Sequence, residues 1–224
     1  MSVRFITTGQ VRSAAMDRDA AVTPRRVVVR RAAAEDVKAI AKLAYLAGGE
    51  MFTFLLRELD PAADPLRVHR ELIAAPDGMP SYRNCLVAVS RGQIVGTANA
   101  FPARLIAAGA GSAPPTEREM FLRPRTALND PDSYFLNDIA VTRSHRRCGI
   151  GEALLQGVID EARRHSFPSL TLHVWADNTG AIALYRRVGF EDAGHAEIPW
   201  HPELRHTGGS LLLRLSLAPD AAGD

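Results

Sequence analysis

Cysteine is scarce in this 224-residue chain: Cys85 and Cys148 are the two it has, in no metal-ligand spacing. A cysteine-held metal is therefore excluded and one disulfide at most is open, while the expected state is two free thiols in a reducing compartment. An excess of charge of one sign is missing as well. Lys+Arg total 27 against 25 Asp+Glu, a net charge of +2. A surface-wide hold on nucleic acid needs more than that, so any anion must be bound by a local cluster. No apolar run approaches the ~18 residues of a membrane span, and no membrane partner is expected. The first residues carry Arg4, Arg12, Asp17, Arg18 and Asp19 without an apolar core, which excludes a secretory signal and makes the cytoplasm the expected location. What remains is an ordinary globular composition, 46% hydrophobic and 23% charged, with length for about one self-sufficient core.

Residues 1–25 lack periodicity and read as a loose extension in which Met16 is an alternative start. The domain proper is expected over 26–218, followed by a short tail, 219–224. Val27-Val28-Val29 is β-branched and reads as a strand. Ala34 to Ala47 carries apolar residues at helical spacing (Val37, Ile40, Ala41, Ala44), and Gly48-Gly49 is expected to stop that helix. Separate helices are expected at about Met51 to Leu59 and Leu66 to Ala74. Asn84 to Ser90 and Gln93 to Phe101, joined by Arg91-Gly92, form a hairpin pattern. A Pro/Gly-rich insertion, 102–133, has no readable pattern beyond a helical turn at Glu117 to Leu122. Then come a strand at Tyr134 to Val141, an amphipathic helix from Gly151 to His165, an apolar strand at Leu170 to Trp175 and a helix at Ala181 to Val188. Two closing strands lie near 193–198 and 210–217. The order describes a mixed α/β domain without internal repeats.

Chemistry concentrates after the Tyr134 strand, where Arg143, His145, Arg146 and Arg147 fill a turn and Gly149 and Gly151 open a helix. Glycines let a backbone approach a ligand closely, and a helix start offers unpaired N–H donors with partial positive charge. Together they make a pyrophosphate cradle. It is not a dinucleotide fingerprint, because Leu154 occupies the third glycine position and no acidic strand end follows. Nor is it a phosphate loop of the Walker type, since no Gly-Lys-Ser/Thr exists.

Arg146-x-x-Gly149-x-Gly151 resembles the Q/R-x-x-G-x-G/A signature of the GNAT N-acetyltransferases. Asn178-x-x-Ala181-x-x-Leu184-Tyr185-x-x-x-Gly189-Phe190 resembles that family's second motif. The resemblance covers roughly Val27 to Leu217 and is densest over Phe135 to Phe190. It implies a mixed, mostly antiparallel sheet splayed at an acyl-CoA cleft and flanked by helices, with acetyl-CoA as co-substrate and no metal. It further implies that the pantetheine arm pairs with Ile139, Ala140 and Val141. The pyrophosphate would rest on the amides of Arg146, Arg147, Cys148, Gly149, Ile150, Gly151 and Glu152. Asn178 would bond the pantetheine arm, and Tyr185 would point its hydroxyl at the sulfur. A homodimer is also implied, though no segment reads as its interface.

The reaction supports these roles. An alkylammonium with pKa near ~10.4 is neutral in only about one molecule in two thousand at pH 7, so the acceptor needs a base or a water path. Tyr185 is protonated at that pH and can supply the proton a departing thiolate requires. Asp138 is the candidate base on the strand, with its neighbour Asn137 and the more distant Glu50 as candidates for touching substrate. Alternation sends either Asn137 or Asp138 away from the cleft. The loop Trp200 to Thr207 holds His201 and His206 without a metal-ligand spacing. The acceptor is expected to be an amine, with a small molecule favoured over a protein lysine or N-terminus because the insertion narrows the opening; the rival to an enzyme is a non-catalytic CoA-binding regulatory domain, against which Asn178 and Tyr185 argue.

Overall fold

β-branching at the start gives β1 (Val27–Arg31), which pairs antiparallel with β2 (Cys85–Ser90). This computed structural model describes residues 27–108 and 114–217; the expected extension 1–25, part of the insertion and the tail 219–224 lie outside them. β3 (Gln93–Pro102) and β4 (Tyr134–Val141) follow, then β5 (Ser169–Trp175), β6 (Glu191–Ala196) and β7 (Ser210–Ser216). The helices are α1 (Val37–Leu59), α2 (Pro65–Ala74), α3 (Arg104–Ala108), α4 (Glu117–Ala127), α5 (Ile150–Arg164) and α6 (Thr179–Val188). The seven strands form one sheet in the order β1-β2-β3-β4-β5-β7-β6, antiparallel throughout except between β4 and β5. The hairpin expected at Arg91-Gly92 is present, with φ of 51° and 75°, the left-handed pair that a two-residue hairpin turn requires.

Helices cover both faces. On one, Leu154, Leu155, Val158 and Ala162 of α5 are at most 1% exposed and pack on Leu86, Ala98, Leu136, Leu172 and Leu213. Truncating one of these leucines to alanine costs about 2–5 kcal/mol. On the other face, Ile40, Ala41 and Ala44 of α1 meet Cys85 and Val87. Asp36 anchors the start of α1: its carboxylate takes Arg30 at 2.6 Å and the amide of Ala33 at 2.8 Å.

Gly48-Gly49 does not stop this helix. α1 runs unbroken through both glycines to Leu59, merging the two expected helices into one. The reason is steric rather than conformational. A Cβ on Gly49 would lie 2.6 Å from the Tyr45 ring, so the glycine is there to let that ring lie flat on the helix. Tyr45 then spans the glycine pair with a hydroxyl contact to Thr53 at 2.9 Å. Merged, the apolar stretch Ala34–Leu59 is long enough to cross a membrane by length and composition, which amends the expectation that no such run exists. Its stripe of Ile40, Ala41, Ala44 and Phe54 is spent on packing within this fold.

The insertion is also more ordered than its composition suggests. Thr116 caps α4, accepting from the Glu119 amide at 3.2 Å, while Glu119 accepts from the Thr116 amide at 2.8 Å. That reciprocal cap starts a helix that continues past Leu122, through Pro124, to Ala127.

Candidate active site

The sheet opens in its middle. β4 and β5 pair only over Tyr134↔Leu170, Phe135↔Thr171 and Leu136↔Leu172. Beyond that point β5 stays with β7 as far as Trp175↔Ser210, and β4 stays with β3 as far as Val141↔Gly96. A wedge is left between them, and the edges of Asn137–Val141 and His173–Trp175 that face it have no strand partner. Buried main-chain polar groups demand partners, so such an edge is suited to an extended amide-bearing ligand. A bulge shapes it: Asn99 faces Asp138 while Ala100 faces Leu136, which leaves Asn137 as the extra residue of β4.

The bulge decides which side chain faces where. Asn137 is exposed, and its amide donates to Asp138 Oδ2 at 3.1 Å. Asp138 is directed inward. Its Oδ1 is buried without a hydrogen-bond partner, and burial raises its carboxyl to about 7, with the Asn137 bond opposing. Its charge reaches two neighbours. The Cys85 thiol is pushed up to about 12 by burial and then by Asp138, and the Tyr185 phenol is raised well above its ordinary value by the same two causes in the same order. Tyr185 is 7% exposed, against Phe190 and in the main core. On α6 the buried positions are Ile182 and Tyr185, so the tyrosine itself lies at the centre of the apolar face that the spacing of Ala181, Leu184 and Val188 suggested.

At the mouth of the wedge lies the basic turn. Arg146 donates to the Val141 carbonyl at 3.2 Å, tying the turn to the end of β4. Arg147 and Gly149 both have positive φ, 59° and 75°. A side chain on Gly149 would meet nothing within 4 Å, so glycine is needed there for the left-handed backbone alone. The first main-chain bond of α5 runs from Ala153 to the Gly149 carbonyl at 2.9 Å, which leaves the amides of Ile150, Gly151 and Glu152 as the free donors of the helix start. Cys148 is exposed in this turn and Cys85 is buried; both are free thiols, as expected. Asn178 caps α6 by accepting from the Ala181 amide at 3.3 Å.

Opposite the turn, a second set of residues encloses the other side of the wedge. Sequence patterns had not joined them. Glu50 accepts from the Arg205 amide at 2.7 Å, so it braces the 197–209 loop. Arg118 of α4 donates to Glu203 at 2.8 and 3.1 Å and to the Phe54 carbonyl at 2.7 Å, with its guanidinium 4.6 Å from the Phe54 ring centre. Arg57 adds a 3.2 Å bond to Glu203. His201 packs edge-on against Phe54 and Phe121. His206 stacks on Trp175 at 4.6 Å and bonds Asp177 at 2.9 Å. Both histidines are packing residues in this fold, and among the described residues no group of three metal-ligating side chains exists. Leu204 is buried with Phe54 and Leu122, seating the loop. Of two surface grooves of about 610 and 690 Å³, one lies where Pro124 of α4 meets Glu197 and Gly208 of the 197–209 loop and the other at Arg31 and Glu161; neither includes Tyr185 or the basic turn.

A splayed mixed sheet, a glycine-capped helix start at its mouth and a buried tyrosine across from a bulged strand define an acyl-CoA-type transferase scaffold. Residues 51–190 match the acetyltransferase (GNAT) family, and the chain belongs to it. The ribosomal protein bS18-alanine N-acetyltransferase of Escherichia coli is 44% identical over 62 residues, which are 28% of this chain and 42% of that protein. The chain thus spans about two fifths of the length of that relative. Among solved structures, an acetyltransferase superposes with a TM-score of 0.63 at 24% identity, over 85% of this chain and all of the other. Diaminobutyrate acetyltransferase from Paenibacillus lautus, solved with L-2,4-diaminobutyric acid and coenzyme A, superposes at 0.54 with 20% identity, over 88% and 98% of the two chains. These likenesses establish the mostly antiparallel splayed fold.

Proposed function

We propose that the protein transfers the acetyl group of acetyl-CoA directly to a primary amine of a small molecule. The observation that carries this is the parting of β4 from β5 at Leu136 and Leu172, with the free amides of α5 at one end and Tyr185 beside Asp138 within. The residues fit the co-substrate. Ile139, Ala140 and Val141 offer an unpaired edge to an extended arm, and the turn from Arg146 to Glu152 offers amides and arginines to a pyrophosphate. Asn178 can hold the arm while capping α6. When bound, acetyl-CoA supplies the activated thioester carbonyl.

The chain's own groups then divide the proton work. Asp138, near 7, is poised to take the proton from an alkylammonium at working pH. Tyr185, raised by burial and by Asp138, keeps its proton through neutral pH and holds it at the hydroxyl, where a departing thiolate needs one. Asn137, exposed on the bulge, and Glu50, behind the 197–209 loop, border the acceptor side. Neither cysteine is placed for a covalent relay: Cys85 is held protonated by burial and Cys148 is out in the turn.

A small acceptor is favoured because α4 and the 197–209 loop are bonded to α1 through Arg118, Glu203, Arg57 and Glu50, which closes that side. A protein N-terminus is the second reading, favoured by the E. coli relative that acts on a ribosomal protein's alanine. CoA release from acetyl-CoA, measured against a panel of small primary amines and of peptides with free N-termini, separates them. Turnover of small amines is expected; turnover confined to peptides would overturn the small-molecule reading.

A further inference from the structure

We infer that Arg125 binds a carboxylate of the acceptor, so that the amine acetylated at this site also carries a carboxylate group. The inference rests on the transfer reading above and names its substrate class. Arg125 projects from the last turn of α4 over the Trp175 ring, its guanidinium carbon 5.6 Å from the ring centre. Trp175 ends β5 on the margin that has opened away from β4. Arg125 Nε is buried without a hydrogen-bond partner, and among the described residues no nitrogen of this side chain makes a hydrogen bond or an ion pair. Arg118, two turns earlier on the same helix, has four such bonds or ring contacts; the difference is not one of reach but of vacant partners.

The neighbours explain why nothing in the chain satisfies it. His173, beside it, is held neutral: burial first, and the Arg125 charge second, lower it to about 4. Its Nε2 is already paired with the Leu128 carbonyl at 2.6 Å. The carboxylates of this side are taken. Asp177 accepts from His206 and from the Thr207 amide, Glu203 from Arg118 and Arg57, Glu50 from the Arg205 amide, and Glu58 from the amides of Glu117 and Arg118. A guanidinium partly withdrawn from water with its Nε unpaired gains from an anion, and burial alone lowers Arg125 to about 10, which still leaves it cationic at neutral pH. Its planar fork matches a carboxylate in two parallel bonds, a geometry that a lysine or a neutral donor does not reproduce. An acceptor whose carboxylate lies at Arg125 is held by the β5 margin, while Asp138 stands on the β4 margin across the same wedge.

The test uses the full chain with acetyl-CoA and matched acceptors: lysine, ornithine and 4-aminobutyrate, each beside its own carboxamide. The wild type should favour each acid over its amide by about 10- to 100-fold in kcat/KM, the range for a charge-assisted hydrogen bond. Arg125→Gln should erase that preference by raising KM for the acids more than for the amides, and Arg125→Lys should restore part of it. A second readout needs no turnover. At saturating CoA, added N-acetyl-lysine should raise the melting temperature saturably above that with CoA alone in the wild type, and should add nothing in Arg125→Gln. Acids and amides used equally by the wild type would overturn the carboxylate assignment and leave the transferase intact. Carboxylate binding that depends on Arg125 without any amine turnover would instead overturn the transfer reading. Absence of both would overturn both.

Discussion

The two halves of the wedge are built by different means. The half formed by β4, the turn and α5 works through main chain: an unpaired strand edge, a left-handed Gly149 and free amides, all within residues 137–152. The half formed by α1, α4 and the 197–209 loop works through side chains brought together over long separations, as in Glu50 to Arg205 and Arg118 to Glu203. Main-chain sites need particular residue types at fixed local spacing, so they leave motifs. Side-chain sites need only reach, and they leave almost none. A co-substrate shared by a whole family suits the first kind of site, and an acceptor particular to one member suits the second.

Substitutions can break this division, beginning with the largest effect. Tyr185→Phe keeps the buried ring and removes the hydroxyl that carries the proton, so kcat should fall about 10²–10³-fold with acetyl-CoA affinity within twofold of wild type, measured by steady-state kinetics and calorimetric titration. Loss of affinity instead would make Tyr185 a packing residue of the first half. Asp138→Asn should lower kcat about 10²-fold and abolish the limb of the pH–rate profile that rises near 7. The same variant has a stability signature. A carboxyl raised in the fold stabilises below its unfolded value and loses that contribution as pH rises through 7. A histidine lowered to about 4, as His173 is, contributes above 6.5 and loses it as pH falls. In the wild type the two slopes oppose each other between pH 4 and 6.5. Of these two slopes only the histidine's remains in Asp138→Asn, so the variant should gain roughly 2–4 kcal/mol on the wild type between pH 4 and 7 in urea unfolding.

Smaller effects sharpen the division. Arg118→Ala should lower stability by about 1–3 kcal/mol and raise KM for the amine while acetyl-CoA affinity holds, since its partners are Phe54 and Glu203 and none lies in the turn. Asn178→Ala removes a helix cap, which should cost about 1 kcal/mol, and should weaken acetyl-CoA rather than the amine.

The same contrast explains what was legible beforehand. The strands, the hairpin at Arg91-Gly92, α5 and the wedge between the strands ending at Val141 and Trp175 could be read from alternation, turn chemistry and the two motifs. Gly48-Gly49 misled because glycine has two uses. It ends helices by adopting positive φ, and it also admits a ring into a helix groove, which is how Tyr45 uses Gly49. The reach of α4 was obscured by Pro124, although the Thr116-x-x-Glu119 cap was a local signal for its start. The choice between Asn137 and Asp138 could not come from strand alternation, because a bulge at Asn137 breaks it. Arg125 left no signal at all: it is defined by what β5 places beneath it and by what its neighbours have already bonded.

Melting temperature against acetyl-CoA concentration tests the main-chain half most directly, with NADH and ATP as controls and with Arg146→Glu/Arg147→Glu beside the wild type. A ligand at ~100 times its dissociation constant adds about 2.7 kcal/mol, which for a domain of this size is a shift of about 5–10 °C. A saturable shift with acetyl-CoA alone, diminished in the double variant, is the expected result. A well-folded wild type that acetyl-CoA leaves unshifted would contradict the assignment of the wedge and of everything built on it.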